Sequence, residues 1–161
     1  MGGSFDLETI YMIARNLSGT DAEALDLTEA GLRVAWEAIG EMPQGISFRT
    51  FVCRFLVREA LSRLREMRAS GPAMDALTRR PDLAERLREA LDWLEPEDRA
   101  AFVLRVVHEL PPRECADILE MPVADVRQNA HQASVVMSAV VKHLMAQSGP
   151  VQPALRRASI Q

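Results

Sequence analysis

Apolar residues recur at helical spacing through almost the whole chain, and no stretch alternates apolar with polar residues as a half-buried strand would. This periodicity predicts an all-α protein. Residues 7–17 read as a first helix, ended by Ser18-Gly19. Residues 21–39 read as a second, with Leu25, Leu32, Trp36 and Ile39 stepping by seven, four and three along one face. "GEMPQG" then breaks the chain with Gly40, Pro43 and Gly45. Ser47 can cap a third helix, from Phe48 to about Arg68, whose apolar stripe includes Phe48, Val52, Phe55 and Leu56.

"ASGPAMDALTRRPD" has the composition of a linker, so a flexible joint is expected over residues 70–82. Beyond it, Leu83, Leu87, Ala90, Leu91 and Leu94 mark a fourth helix. Glu95-Pro96-Glu97-Asp98 opens a fifth that runs to about Val107, with proline where a first turn tolerates it and acids beside the positive helix end. A short helix, a tight turn and a long helix toward Ala146 follow, and residues 147–161 read as a disordered tail. Two small helical modules are therefore expected, at 5–69 and 83–146. Modules this small gain stability by packing against each other or a partner.

Composition narrows the function. No apolar run approaches the roughly 18 residues of a membrane span. No basic start followed by an apolar core marks a secretion signal, so the expected location is cytoplasmic. Cys53 and Cys115 both sit in apolar helical patterns and read as reduced core thiols. His108, His131 and His143 are scattered, and neither cysteine has a cysteine neighbour in sequence, so no metal-ligand spacing exists. With no glycine-rich phosphate loop and no nucleophile elbow either, no enzyme, metal or cofactor is expected.

The net charge of −4 argues against nonspecific nucleic-acid binding by the whole chain, but its distribution is uneven. Residues 1–45 hold eight acids against Arg15 and Arg33, whereas residues 46–70 hold six arginines against Glu59 and Glu66. An acidic surface followed by a basic helix suggests two different partners. Near the other end, "RECADILEMPVADVRQNAHQASVV" has the pattern of a helix-turn-helix. Ala116 is small where the helices should cross, Ile118, Leu119 and Val126 are apolar where the unit needs a core, and Pro122 suits the first turn of the second helix.

The residues from Leu87 to Ala133 resemble region four of extracytoplasmic-function sigma factors. That family reads "LSYEEIAEILGIPVGTVKSRLHRA", and Leu110, Glu114, Ala116, Ile118, Leu119, Pro122, Val123, Val126, His131 and Ala133 stand where the pattern wants them. The first module is similar to region two. "ALDLTEAGLRVAWEAI" keeps Ala24, Asp26, Leu27, Ala35 and Trp36 of that family's pattern. "SFRTFVCRFLVREALSRLR" keeps Ser47, Phe48, Arg49, Thr50, Arg54, Ala60, Leu61, Arg63, Leu64 and Arg65. The resemblance implies an alternative sigma factor, which binds core RNA polymerase and directs it to promoter DNA under the control of an anti-sigma factor. It further implies that Asp26, Leu27 and Glu29 face polymerase. Phe51, Arg54, Arg58, Arg63 and Arg65 would meet minus-ten DNA, and Arg113, Arg127, Gln128, Asn129, His131 and Gln132 minus-thirty-five DNA.

The departures from the pattern fall on these functional surfaces. Leu25-Asp26 and Glu29-Ala30-Gly31 replace the family's "ED" and "QET"; Phe51 replaces a Trp, and Arg58 and Ser62 replace an Asn and an Asp. In the turn, Glu120 stands for a glycine, so a left-handed residue there would cost about 1 kcal/mol unless the turn reshapes. Between Pro122 and Ala146 the only lysine or arginine residues are Arg127 and Lys142, and Asp125 adds a carboxylate that repels phosphate. Asn129 and Gln132 can still pair with adenine edges and Arg127 with guanine, so base readout survives while affinity for duplex DNA falls. These changes also fit a degenerate sigma-like regulator that acts by protein contacts alone, as a decoy for an anti-sigma factor.

Overall fold

The computed structural model describes residues 6–70 and 83–147; the expected joint beyond Ser70 and the tail beyond Gln147 lie outside the described residues. Three helices form the first module: α1 (Leu7–Leu17), α2 (Asp21–Glu37) and α3 (Phe48–Ala69), with a 3₁₀ turn at Ile39–Glu41. The second holds α4 (Leu83–Asp92), α5 (Pro96–Phe102), a π-helical turn (Val103–Val107), α6 (Pro112–Leu119) and α7 (Val123–Gln147). No strand occurs among the described residues.

Short polar side chains start the helices of the first module. The Asp6 carboxylate accepts the Thr9 N–H at 3.1 Å and also the Thr9 hydroxyl, bonds that hold its carboxyl below the usual range. Thr20 and Glu23 form a reciprocal capping box on α2, and the Ser47 hydroxyl accepts the Thr50 N–H at 3.1 Å on α3.

The buried face of α2 is Ala24, Leu27, Thr28, Gly31 and Ala35, not the stripe of large residues that the sequence suggested. Leu25, Trp36 and Ile39 point outward, with Trp36 68% exposed. Small residues win the inner face because α3 approaches closely: a Cβ on Gly31 would lie 3.0 Å from the Leu56 Cβ. The departure from the family pattern at Gly31 is thus a packing feature. Helix α2 also stops at Glu37, and the 3₁₀ turn takes up Ile39.

In the second module the stretch expected as one helix to about Val107 changes character at Val103. The His108 N–H bonds the Val103 carbonyl at 3.0 Å and the Leu110 N–H bonds the Leu104 carbonyl at 3.0 Å, so the last turn is wide. After α6, Glu120 adopts φ 52° and ψ 42°, and the Met121 N–H returns to the Ala116 carbonyl at 3.2 Å. The tight turn of the helix-turn-helix keeps its left-handed residue although no glycine is there.

One apolar core runs through both modules. Ile10, Ile13, Leu17, Val52, Leu56 and Val57 of the first are continuous with Val103, Leu104, Cys115, Ile118 and Val126 of the second. Helix α3 lies against α5 and α6, and α1 against the π turn. A smaller cluster joins α4 to α7 through Leu91, Leu94, Ala133 and Met137. Arg99, only 4% exposed, links three elements. It donates to the Asn16 carbonyl at the end of α1 through two nitrogens, at 3.1 and 3.3 Å, and its Nη1 meets Asp92 at 2.6 Å. The Asn16 Nδ2 and His108 Nε2 lie 3.1 Å apart across the same seam, where burial lowers the His108 pKa.

Candidate nucleic-acid interface

Helix α3 carries the arginines at positions 49, 54, 58, 63, 65 and 68, and all but one of these face the second module. Arg49 reaches Glu114 at 2.6 Å, and the Thr50 hydroxyl donates to the same carboxylate oxygen at 3.2 Å. The Arg54 Nε donates to the Asp117 carbonyl at 2.9 Å, with Nη1 3.9 Å from Glu120. Arg58 pairs with Glu120 and Arg65 with Glu97. Arg68 donates to the Leu94 carbonyl at 3.2 Å and meets Glu95 at 2.9 Å. Arg63 alone turns back within its own module, to Asp26 at 2.7 Å and Glu59 at 3.0 Å. Arg49 and Arg63 have raised pKa values, chiefly from hydrogen bonds to Glu114 and to Asp26, so both stay charged.

This arrangement has a simple electrostatic cause. The carbonyl end of α6 carries the negative pole of a helix, and the first arginine it meets takes a carbonyl directly. Glu120, held left-handed just past that end, adds a full negative charge. The stripe expected to face nucleic-acid phosphates is therefore met by carboxylates and carbonyls of the same chain.

Two of the residues implied for surface contacts lie in the core. Leu27 is 1% exposed and Phe51 is 3% exposed, so neither presents a side chain to polymerase or to a base in this conformation. The pattern match that drew attention to them reflects packing. Their accessible neighbours are Leu25, 61% exposed, and the half-buried Phe55. The Phe55 ring stands edge-on to Phe51 with centroids 4.9 Å apart, and the Arg58 guanidinium lies 5.6 Å from its centre. Asp26 and Glu29 do point outward beside Leu25.

On α7, Arg127, Gln128, His131 and Gln132 are exposed and Asn129 is partly so, its amide lying 3.9 Å from the Met121 sulfur. Arg113 is exposed at the start of α6. The fold brings Arg105 of the π turn to this surface, where it lines one cavity of about 190 Å³ with Arg127 and His131. Arg105 adds a cation beside the charge-poor recognition helix, and its distance along the sequence hid it from the motif. The face of α7 is thus open, whereas that of α3 is covered.

Comparison with known proteins agrees with the order of the two modules. The family description "Sigma-70 region 2" matches residues 7–69, and "Sigma-70, region 4" matches residues 84–135. No curated protein matches the chain. Among solved structures, it is similar to the sigma factor RpoE from Bartonella quintana, in complex with the anti-sigma factor NepR. The TM-score is 0.68 at 19% identity, over 84% of this chain and 91% of that one. It is also similar to the anti-anti-sigma factor PhyR from Bartonella quintana, complexed with NepR, with a TM-score of 0.59 at 18% identity. That match covers 90% of this chain and 58% of PhyR. Among the described residues no helix is long and apolar enough to cross a membrane. With region 2 and region 4 matched in sequence over more than half its residues, the chain belongs to the sigma-70 family.

Proposed function

We propose that this chain is an alternative sigma factor: a non-enzymatic, cytoplasmic subunit that binds core RNA polymerase and directs it to its own promoters. The observation that carries the proposal is the arginine face of α3, with Arg54, Arg58 and Arg65 on one helix beside the aromatic ring of Phe55. Cations that track a phosphate backbone next to a ring that stacks on bases suit a melted strand. Arg127, Gln128, Asn129 and Gln132 on α7 supply the hydrogen-bonding side chains for duplex readout, with Arg113, His131 and Arg105 nearby for phosphates. Asp26 and Glu29, with Leu25 in the place first given to Leu27, form the acidic and apolar surface for polymerase. An anti-sigma protein is the expected partner, since both similar structures named above are complexes with one.

Run-off transcription from fragmented genomic DNA of the source organism, with core polymerase and with or without this chain, tests the proposal. Discrete new transcripts are expected, and Arg127→Ala and Asn129→Ala should weaken them. Absence of new transcripts, with the same core active under another sigma factor, would overturn the proposal in favour of a decoy for an anti-sigma protein.

A further inference from the structure

Two grooves flank α4 in the second module, and they differ in charge. Helix α4 runs antiparallel to α7, because Arg86 and Gln147 line one groove while Leu91 and Leu94 pack with Ala133 and Met137 further along. That groove holds about 520 Å³ and mixes Arg86 and His143 with Glu89. The groove on the other side holds about 700 Å³ and is completed by the π turn and by Asn16 of α1. Its apolar lining includes Leu87 of α4, Phe102, Val106 and Val107 around the π turn, and Met137 and Val141 of α7. Among the described residues no carboxylate lines it, and its charged residues are Arg88 and Lys142, both exposed.

The π turn accounts for part of this surface. Val106 and Val107 are 46% and 47% exposed. In a regular helix successive side chains diverge by about 100°, whereas the wide turn leaves two β-branched neighbours lining one concavity. We propose that this groove binds a free single-chain acyl anion, a medium- or long-chain carboxylate. The chain lies along Phe102 and the valines, and the head group meets Arg88 and Lys142. Because α4 and α7 are antiparallel, Arg88 in the first half of α4 and Lys142 near the end of α7 lie toward the same end of the groove. A carboxylate there accepts charge-assisted hydrogen bonds from a guanidinium and an ammonium group. The size also fits, since small-molecule sites enclose roughly 300–1,000 Å³ behind mainly apolar walls with a few polar groups that orient the ligand. A partner helix about 10 Å across and about three turns long would fill roughly 1,300 Å³. The charge excludes a cationic amphiphile.

The test titrates the full chain with sodium decanoate and sodium dodecanoate in a calorimeter, each below its micelle concentration. Decyltrimethylammonium serves as the cationic counterpart. Arg88→Gln/Lys142→Gln removes the head-group contacts, and Val107→Glu places a carboxylate in the groove. Arg33→Gln/Arg86→Gln removes as much charge away from it. Positions 88, 107 and 142 are exposed, so these variants keep the fold, which circular dichroism checks. The expected result is one dodecanoate per chain, bound up to about fourfold tighter for each methylene beyond decanoate. Binding weakens about two- to fivefold in Arg88→Gln/Lys142→Gln. It is lost in Val107→Glu and unchanged in Arg33→Gln/Arg86→Gln. No saturable binding by the wild-type chain would overturn the proposal. Equal affinity for decyltrimethylammonium, binding untouched by Val107→Glu, or the same weakening in both charge-removing variants would also overturn it. No acyl binding, together with loss of core-polymerase binding in Val107→Glu, would assign the groove to a partner protein and overturn it likewise.

Discussion

At the scale of single residues, burial separates positions that a pattern match treats alike. Leu25 and Leu27 lie two apart on α2, yet one is 61% and the other 1% exposed. Leu27→Ala should cost about 2–5 kcal/mol of stability, read from chemical denaturation. Leu25→Ala should leave the melting curve within about 0.5 kcal/mol and weaken binding to core polymerase in a pull-down. The reverse assignment would show in the same pair of measurements. The sequence could not make this distinction because α2 meets α3 through small residues. Leu25 and Trp36 lie outside, so a rule that sends the largest residues inward picks the wrong face. Phe51 and Phe55 repeat the lesson: the ring singled out by the family pattern is the buried one, and the ring beside Arg58 is its neighbour. Arg54, Arg58, Arg63 and Arg65 were legible as a stripe, because one helix holds them all. Glu120, the partner of Arg54 and Arg58, and Glu97, the partner of Arg65, lie far along the chain and were not.

At the scale of elements, helices and their starts were legible where local chemistry fixes them, as at Ser47 and Pro96. The π turn was not, since its hydrogen bonds answer to the packing around Leu104 and Leu110. Arg99 ties α5 to the end of α1 and to α4, with its charge almost wholly removed from water. Arg99→Ala leaves the Asn16 carbonyl without that donor and should cost about 1–3 kcal/mol, measured by urea unfolding. The two thiols set a pH dependence. Burial pushes Cys53 up to about 12 and Cys115 up to about 11, from an ordinary 9.0. Above pH 9 the unfolded chain releases protons that the folded chain keeps. The contribution is therefore complete below pH 9 and is lost as the pH climbs toward 11–12. At pH 10 each thiol should cost on the order of 1 kcal/mol relative to pH 7.5. Melting temperatures of Cys53→Ala and Cys115→Ala at the two pH values check this, since each removes its own share of the alkaline loss.

At the scale of the whole molecule, two modules that match separate family regions share a single core, and the basic helix of the first is covered by the acidic end of a helix in the second. Such an arrangement couples strand binding to module separation. On the proposed function, that cover predicts weak DNA binding by the chain alone, in keeping with its net charge of −4 and its charge-poor recognition helix. On the same proposal, polymerase binding supplies the energy that parts the modules. The most direct measurement is energy transfer between dyes at positions 37 and 145 while core RNA polymerase is added to the labelled chain. The account predicts a saturable fall in transfer as the complex forms. Saturable binding with transfer unchanged, or no binding at all, would contradict it.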